Sequence, residues 1–427
     1  MKALTKISIG FLSLAAVALW FTSCSSEDVA SGTNQGKMSS LTLTINTGKS
    51  MGSRATDWTT TDPAGNENDI NRITVGIFSA DGNTLRTIVE LASGTGTDNT
   101  FKPETNGAST TIVTNSLTDG DLIKVAVNAP KGHFVGIKTA NDFMNKSEEA
   151  KDALTNSADL TKEACNNNVP MYGEGTLTPK NSGDNSVFKA VSGGADKVTV
   201  KHMLAKVSLE SLGVDFKAGS AYANAEFTPV AAFLINVPDK MDFTSNVWNS
   251  SATLLHGWSA CDDSNCTFDY ATENDGGSGT YAQYLTTGNL TETVLSGTAS
   301  SGTATSTAKA WFYTLPNDRV DDGAAVTNNT KLVIAGKFKE NTGSTAEMVY
   351  YSLPINATYD TSSHKYVKPA AGAGSAFQVC PNQYYKCSVV IRTKGSKNPN
   401  TNLTPQEAEI KVEVKDFVDV SQSAEFN

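Results

Sequence analysis

The sequence predicts a mainly β protein of two tandem domains, with a minor helix in the first. Three observations predict it. Several segments alternate apolar and polar residues, most clearly Leu41-Thr42-Leu43-Thr44-Ile45 and Glu409-Ile410-Lys411-Val412-Glu413-Val414-Lys415-Asp416-Phe417. A period of two marks a strand buried on one face. Thr, Ser, Asn and Gly fill much of the remainder, a composition that suits strands and turns better than helices. The chain has 427 residues, beyond the ~250–300 at which a single core stops growing. Hydrophobic residues make up 39% and charged residues only 18%, too apolar and too weakly charged for a disordered chain. The net charge is −10 without a Lys/Arg stripe, which argues against nucleic acid as a partner, because phosphate contacts need clustered cations.

Residues 1–23 read as an export signal. Lys2 and Lys6 precede an apolar run from Ile7 to Phe21, shorter than the ~20 residues of a spanning helix. Phe21-Thr22-Ser23-Cys24 resembles a bacterial lipoprotein processing box, which makes Cys24 the candidate lipidation site and gives the chain a membrane attachment. Polar residues 25–40 lead to the 41–45 strand. The stretch 46–68 is polar and Gly-rich, reads as a loop, and holds Arg54-Ala55.

Further strands are expected over 73–78 and 122–127. Thr139 to Leu160 is the best helix, with Phe143, Ala150 and Leu154 on one face and Thr139 with Asp142 as its cap. Extended chain resumes at Tyr172. The Gly/Ser/Asp-rich residues 180–196 make the likeliest boundary, dividing a first domain (55–195) from a second (196–427). Val198 to Leu209 is one long strand or a broken pair. Residues 241–308 read as surface loops carrying Trp248 and Trp258. Strands follow at 310–315, 331–338, 348–353, 384–391, 409–417 and 420–426.

Sequence motifs for catalysis and for metal or cofactor binding are missing. Gly48-Lys49-Ser50 lacks the earlier Gly of a phosphate loop, since Leu43 stands there. The four His are scattered, without a pair at helical metal-ligand spacing, and His202 in a strand pattern reads as structural. No cofactor, metal or enzymatic activity is expected. Cys261 and Cys266 bracket a turn-like run and are candidates for a small disulfide loop. Cys380 and Cys387, on one continuous strand, would face opposite sides.

The carboxyl end carries a recognisable pattern. Asn382-Gln383-Tyr384-Tyr385-Lys386-Cys387-Ser388-Val389-Val390-Ile391 precedes Gly395 and an Asn/Pro-rich loop, then the alternating strand ending at Phe417. Together with 73–78, 198–209, Cys24 and Arg54-Ala55, this resembles the major fimbrillin family of Bacteroidales, the shaft subunits of type V pili. The departures are Cys380-Pro381, where a basic residue is common, and Phe417, where Trp is common.

The resemblance implies two transthyretin-like β-sandwich domains and a propeptide over 24–54. It implies an Arg-specific protease cutting between Arg54 and Ala55. Leu41, Leu43 and Ile45 would then be the apolar face of a removable first strand. Ile410, Val412, Val414 and Phe417, in a tail over about 408–427, would be the donor strand that fills the vacated groove of another copy or a related subunit. The implied product is a head-to-tail fimbrium on the cell surface, supporting adhesion, with a lipidated precursor in the outer membrane. Two rival readings remain open: a tip or surface adhesin using 241–308, and a surface glycan hydrolase with two facing carboxylates.

Overall fold

The structure, a computed structural model, describes residues 38–47, 67–93, 99–104, 107–154, 168–244, 252–257, 282–286, 290, 293–297, 310–318, 328–360, 362–363, 365–401 and 408–416. All of them fall within one compact unit, residues 37–427. The chain is mainly β, as expected.

The first strands are β1 (Met38–Asn46), β2 (Arg72–Phe78), β3 (Leu85–Ser93), β4 (Thr100–Glu104), β5 (Gly107–Asn115) and β6 (Leu122–Val127). Helix α1 (Ala140–Met144), strand β7 (Ser147–Glu149) and helix α2 (Ala150–Leu154) follow, then β8 (Met171–Pro179), β9 (Val187–Val191), β10 (Val198–Thr199) and β11 (Lys201–His202). All but β7 join one ten-stranded sheet, in the order β10-β1-β5-β4-β3-β2-β6-β8-β11, with β9 pairing both β1 and β8. The pairing path therefore closes on itself through β1. Its interior holds Leu41, Leu43, Ile45, Ile73, Val75, Ile77, Ile123, Val125, Phe188 and Val198 in one apolar cluster. Strands β2 and β6 are buried on both faces. Phe78 and Ala126 on the second face pack with Phe143 of α1 into a different cluster, Phe78 meeting Phe143 edge-on at 6.1 Å.

The expected helix over 139–160 is broken. Its start is as predicted: Thr139 Oγ1 accepts from the Asp142 amide, and the Asp142 carboxylate accepts from the Thr139 amide. Helix α1 ends at Met144, because Ser147–Glu149 is drawn out to pair with residues 240–242, Glu148 opposite Met241. Phe143, Ala150 and Leu154 are all buried, as the apolar spacing requires, but on two short helices instead of one.

The second half carries β12 (Ala205–Val214), β13 (Glu226–Ile235), β14 (Val237–Pro238), β15 (Lys240–Asp242), β16 (Leu254–Leu255), β17 (Leu295–Ser296), β18 (Ala310–Thr314), β19 (Lys331–Lys339), β20 (Glu347–Pro354), β21 (Thr358–Asp360), β22 (Lys365–Val367), β23 (Gln383–Ile391) and β24 (Ala408–Asp416). The stretch 198–209 is thus a broken run: β10 and β11 stay in the first sheet, and β12 opens the next. Two four-stranded sheets form, ordered β18-β12-β23-β24 and β17-β13-β19-β20. Their facing side chains share one core, including Val207, Leu209, Phe312, Tyr385 and Val389 from the first with Phe227, Leu234, Ile334, Phe338 and Leu353 from the second. Within 241–308, the described Leu285, Leu290 and Leu295 are buried in that core, so these parts of the polar stretch are anchored.

Candidate functional site

Strand β1 sits between two neighbours. On one side it pairs antiparallel with β5 over its whole length, from Met38 opposite Asn115 to Asn46 opposite Gly107. On the other it pairs parallel with β9 (Leu41 opposite Phe188) and β10 (Ile45 opposite Val198). Backbone bonds fix both ends of this seam: the Ser40 amide donates to Ser186 O at 2.9 Å, and the Val200 amide to Asn46 O at 2.9 Å. The alternation read from the sequence is obeyed. Leu41 and Leu43 are 0% exposed and Ile45 is 2% exposed, while Thr42 is exposed on the other face. Burying such a side chain contributes ~1.5–3 kcal/mol, so the three together hold β1 by roughly 5–9 kcal/mol before the ladder is counted. Gly107 is required here for space: a Cβ at that position would lie 2.1 Å from the Ile45 carbonyl oxygen.

An empty β1 slot would leave unpaired backbone on β5, β9 and β10 above an open apolar core, which is costly in water. The site's chemistry is therefore the binding of an extended strand, with main-chain groups supplying affinity and alternate side chains supplying selectivity.

The carboxyl-terminal strand is the second component. Among the described residues β24 lies at the edge of its sheet and pairs antiparallel with β23 alone, Val412 opposite Cys387 and Val414 opposite Tyr385. Ala408, Val412 and Val414 are buried on one face. Ile410 stands opposite Val389. An edge strand is held on one side only, so it is the cheaper kind of strand to detach.

Between β23 and β24, residues 393–400 cross to the other sheet and are stapled there. Ser396 exchanges both backbone bonds with Tyr350, at 2.8 and 3.0 Å. The Tyr351 hydroxyl donates to Thr393 O at 2.8 Å, and Ser352 Oγ donates to Pro399 O. The Lys331 ammonium donates to Asn400 Oδ1 at 2.8 Å. Lys397 pairs with Glu347 at 2.8 Å. Burial pushes Lys331 down to about 8.

A buried polar knot ties residue 67 to the second half. The Glu67 carboxylate takes the Lys206 ammonium at 2.9 Å and the Tyr313 hydroxyl at 2.6 Å. His202 Nε2 meets Glu67 O at 2.9 Å, and its Nδ1 meets Asn382 Oδ1 at 3.2 Å. Burial holds the His202 pKa below its usual range, so it acts as a neutral hydrogen-bonding ring. Lys206 also lies 5.0 Å from the Tyr384 ring and 5.6 Å from Trp311. The sequence marked His202 as structural; it gave no hint of Glu67.

Cys24, Arg54, Ala55, Phe417, Cys261, Cys266, Trp248 and Trp258 lie outside the described residues. Cys380 and Cys387 are free thiols. Cys380 precedes β23 and Cys387 lies within it, so the two do not share a strand. Burial pushes Cys387 up to about 12 and raises Cys380 as well, which leaves both protonated and poor nucleophiles at neutral pH. Among the described residues, no group of three His, Cys, Asp or Glu is placed to hold a metal ion.

Sequence reasoning missed β5 and β9, the walls of the slot. The available signals were Ala108-x-Thr110-x-Ile112 and Phe188-x-Ala190, whose side chains face inward beside Leu43, Leu41 and their neighbours.

Residues 39–210 match the sequence profile of the Major fimbrial subunit protein (FimA) family. No curated protein matches the chain by sequence. Among solved structures, a protein assigned to cell adhesion from Parabacteroides distasonis superposes with a TM-score of 0.58 at 15% identity, covering 90% of this chain and 99% of its own. A fimbrilin (fimA) from Porphyromonas gingivalis gives 0.55 at 15%, covering 90% and 99%. A third, assigned to cell adhesion in Bacteroides eggerthii, gives 0.54 at 18%, covering 91% and 98%. At these identities the likeness speaks for the fold.

Proposed function

From the match of residues 39–210 to the major fimbrial subunit family, we propose that this chain is a structural, non-catalytic subunit of a cell-surface fimbrium that polymerises by strand exchange and supports adhesion. It is exported as a lipoprotein on Cys24 and cleaved between Arg54 and Ala55 by an Arg-specific protease. Its two transthyretin-like sandwich domains span 55–195 and 196–427. Cleavage cuts the covalent tie of β1, and the tail strand of a neighbouring copy takes its place. Contacts of this kind are head to tail and propagate into a filament. The observation that carries the reading is β1 itself: a strand whose Leu41, Leu43 and Ile45 are fully buried, joined to β2 through a segment that contains Arg54.

The test is the amino-terminal residue of protein sheared from cells, together with the Arg54→Ala variant. Ala55 is the expected first residue, and the variant should remain a membrane-bound monomer. Polymers of normal length from Arg54→Ala, or polymers that retain residues 41–45, would overturn it.

A further inference from the structure

Strands β1 and β24 are each nine residues long, and their alternate residues run in the same order of sizes. On β1 the buried positions are Ser39, Leu41, Leu43 and Ile45, one small residue followed by three large aliphatic ones. On β24 the matching series at the same spacing is Ala408, Ile410, Val412 and Val414. Each slot position has a defined surrounding. Ser39 lies opposite Thr114, Leu41 between Ile112 and Phe188, Leu43 opposite Thr110, and Ile45 between Ala108 and Val198.

The alternative registers fail on simple grounds. An odd shift turns Glu409, Lys411, Glu413 and Lys415 into the core. Advancing the strand by two puts Asp416 in the place of Ile45. Retarding it by two puts Ala408 in the place of Leu41, which leaves a cavity, and drives Val414 into the position of Thr47. Among registers that run in the direction of β1, and so keep its antiparallel pairing with β5 and its parallel pairing with β9 and β10, one remains that fills every position with an apolar or small side chain.

We propose that β24 of one copy enters the β1 slot of the next in a single register, running in the direction of β1, with Ala408 replacing Ser39, Ile410 replacing Leu41, Val412 replacing Leu43 and Val414 replacing Ile45. This rests on the strand-exchange reading above and adds the register to it. In this register the Val414 carbonyl passes Gly107, where only a residue without Cβ leaves room. Lys411 takes the exposed position of Thr42, opposite Thr111 and beside Lys189. Lys189 already has an ion-pair partner, Asp196, at 2.8 Å, so the added like charge on this solvated face costs little.

The experiment uses the full chain with Lys411→Cys combined in turn with Ser109→Cys, Thr111→Cys or Val113→Cys, and each single variant as control. Fimbriae from cells are oxidised and run without reductant. Thr111→Cys should give about tenfold more cross-linked oligomer than either neighbour, because only directly opposed residues bring Cα atoms within disulfide reach. Dominant cross-linking through Ser109→Cys or Val113→Cys overturns the register while leaving strand exchange intact. Polymer that requires residues 408–427 yet cross-links through none of the three also overturns it. Undiminished polymer from a chain lacking 408–427 instead overturns the underlying reading.

Discussion

Leu43→Ala empties the middle of the β1 apolar face. Leu43 is 0% exposed and packs in the cluster of Ile73, Val75, Phe101 and Phe188. Truncating a buried Leu to Ala costs ~2–5 kcal/mol. In the intact chain the loss appears as lower global stability. Once the covalent link to β2 is cut, it appears as weaker retention of β1 in its slot. Each ~1.4 kcal/mol is a factor of ten, so a loss near ~3 kcal/mol shortens the residence of β1 by about 100-fold. A chain carrying a specific protease site in place of Gly52–Ala55 allows a clean cut, and release of the leading fragment is then timed by size-exclusion chromatography. Leu43→Ala should release it about two orders of magnitude faster than the parent. Thr42→Ala, on the exposed face next door, should release it at the parental rate. If the two variants agree within about twofold, the apolar face is not what retains β1.

Gly107→Ala drives a Cβ against the Ile45 carbonyl and should cost ~1–3 kcal/mol by overpacking; hydrogen exchange at the Val200 amide, which donates to Asn46 O, should speed up, and unchanged protection there would sink the claim. Glu67→Gln strands the Lys206 ammonium in the interior and should cost ~3–5 kcal/mol in urea unfolding, whereas Glu67→Leu with Lys206→Met should recover most of it; a single-variant loss below ~1 kcal/mol would count against the knot. Burial pushes His256 down to about 4, and its Nδ1 accepts from the Asn236 amide at 3.2 Å. The unfolded chain therefore binds the extra proton first, so this contribution is complete above about pH 6.5 and is lost as pH falls towards 4, by up to ~3 kcal/mol. His256→Gln should flatten that part of the stability–pH curve; a profile identical to the parent's refutes the assignment.

The legible parts of the fold were those with local alternation of strong apolar residues. β1, β2, β6, β23 and β24 all lie where their sequences place them: β1, β2, β6 and β24 carry runs of Leu, Ile or Val at every second position, and β23 carries Tyr385, Cys387, Val389 and Ile391 in the same alternation. β5 was not legible. Gly107-Ala-Ser-Thr-Thr-Ile-Val-Thr-Asn has one large apolar residue, Ile112, among its inward positions; Ala108, Thr110 and Thr114 are too small or too polar to signal burial. β9 lies inside a Gly/Ser/Asp-rich stretch that reads as a linker. The closure of the first sheet was also hidden, since β1 meets partners from about sixty to about one hundred and fifty positions away, and pairings at that range leave no periodic trace. The same holds for Glu67 and Lys206, 139 positions apart. The helix was over-extended because Phe143, Ala150 and Leu154 keep a helical spacing even though Ser147–Glu149 leaves the helix to pair with residues 240–242.

The stapled crossing at 393–400 bears on mechanics. A fibre drawn taut by flow would deliver tension into each protomer at its tail, where an outermost strand would otherwise unzip rung by rung. Here the pull meets the Lys331 and Ser352 fastenings on β19 and β20 first, so it is shared by the opposite sheet before β23 bears any of it. Single-molecule extension of Lys331→Met should therefore show rupture at lower force than the parent, with the yield point moved towards the tail.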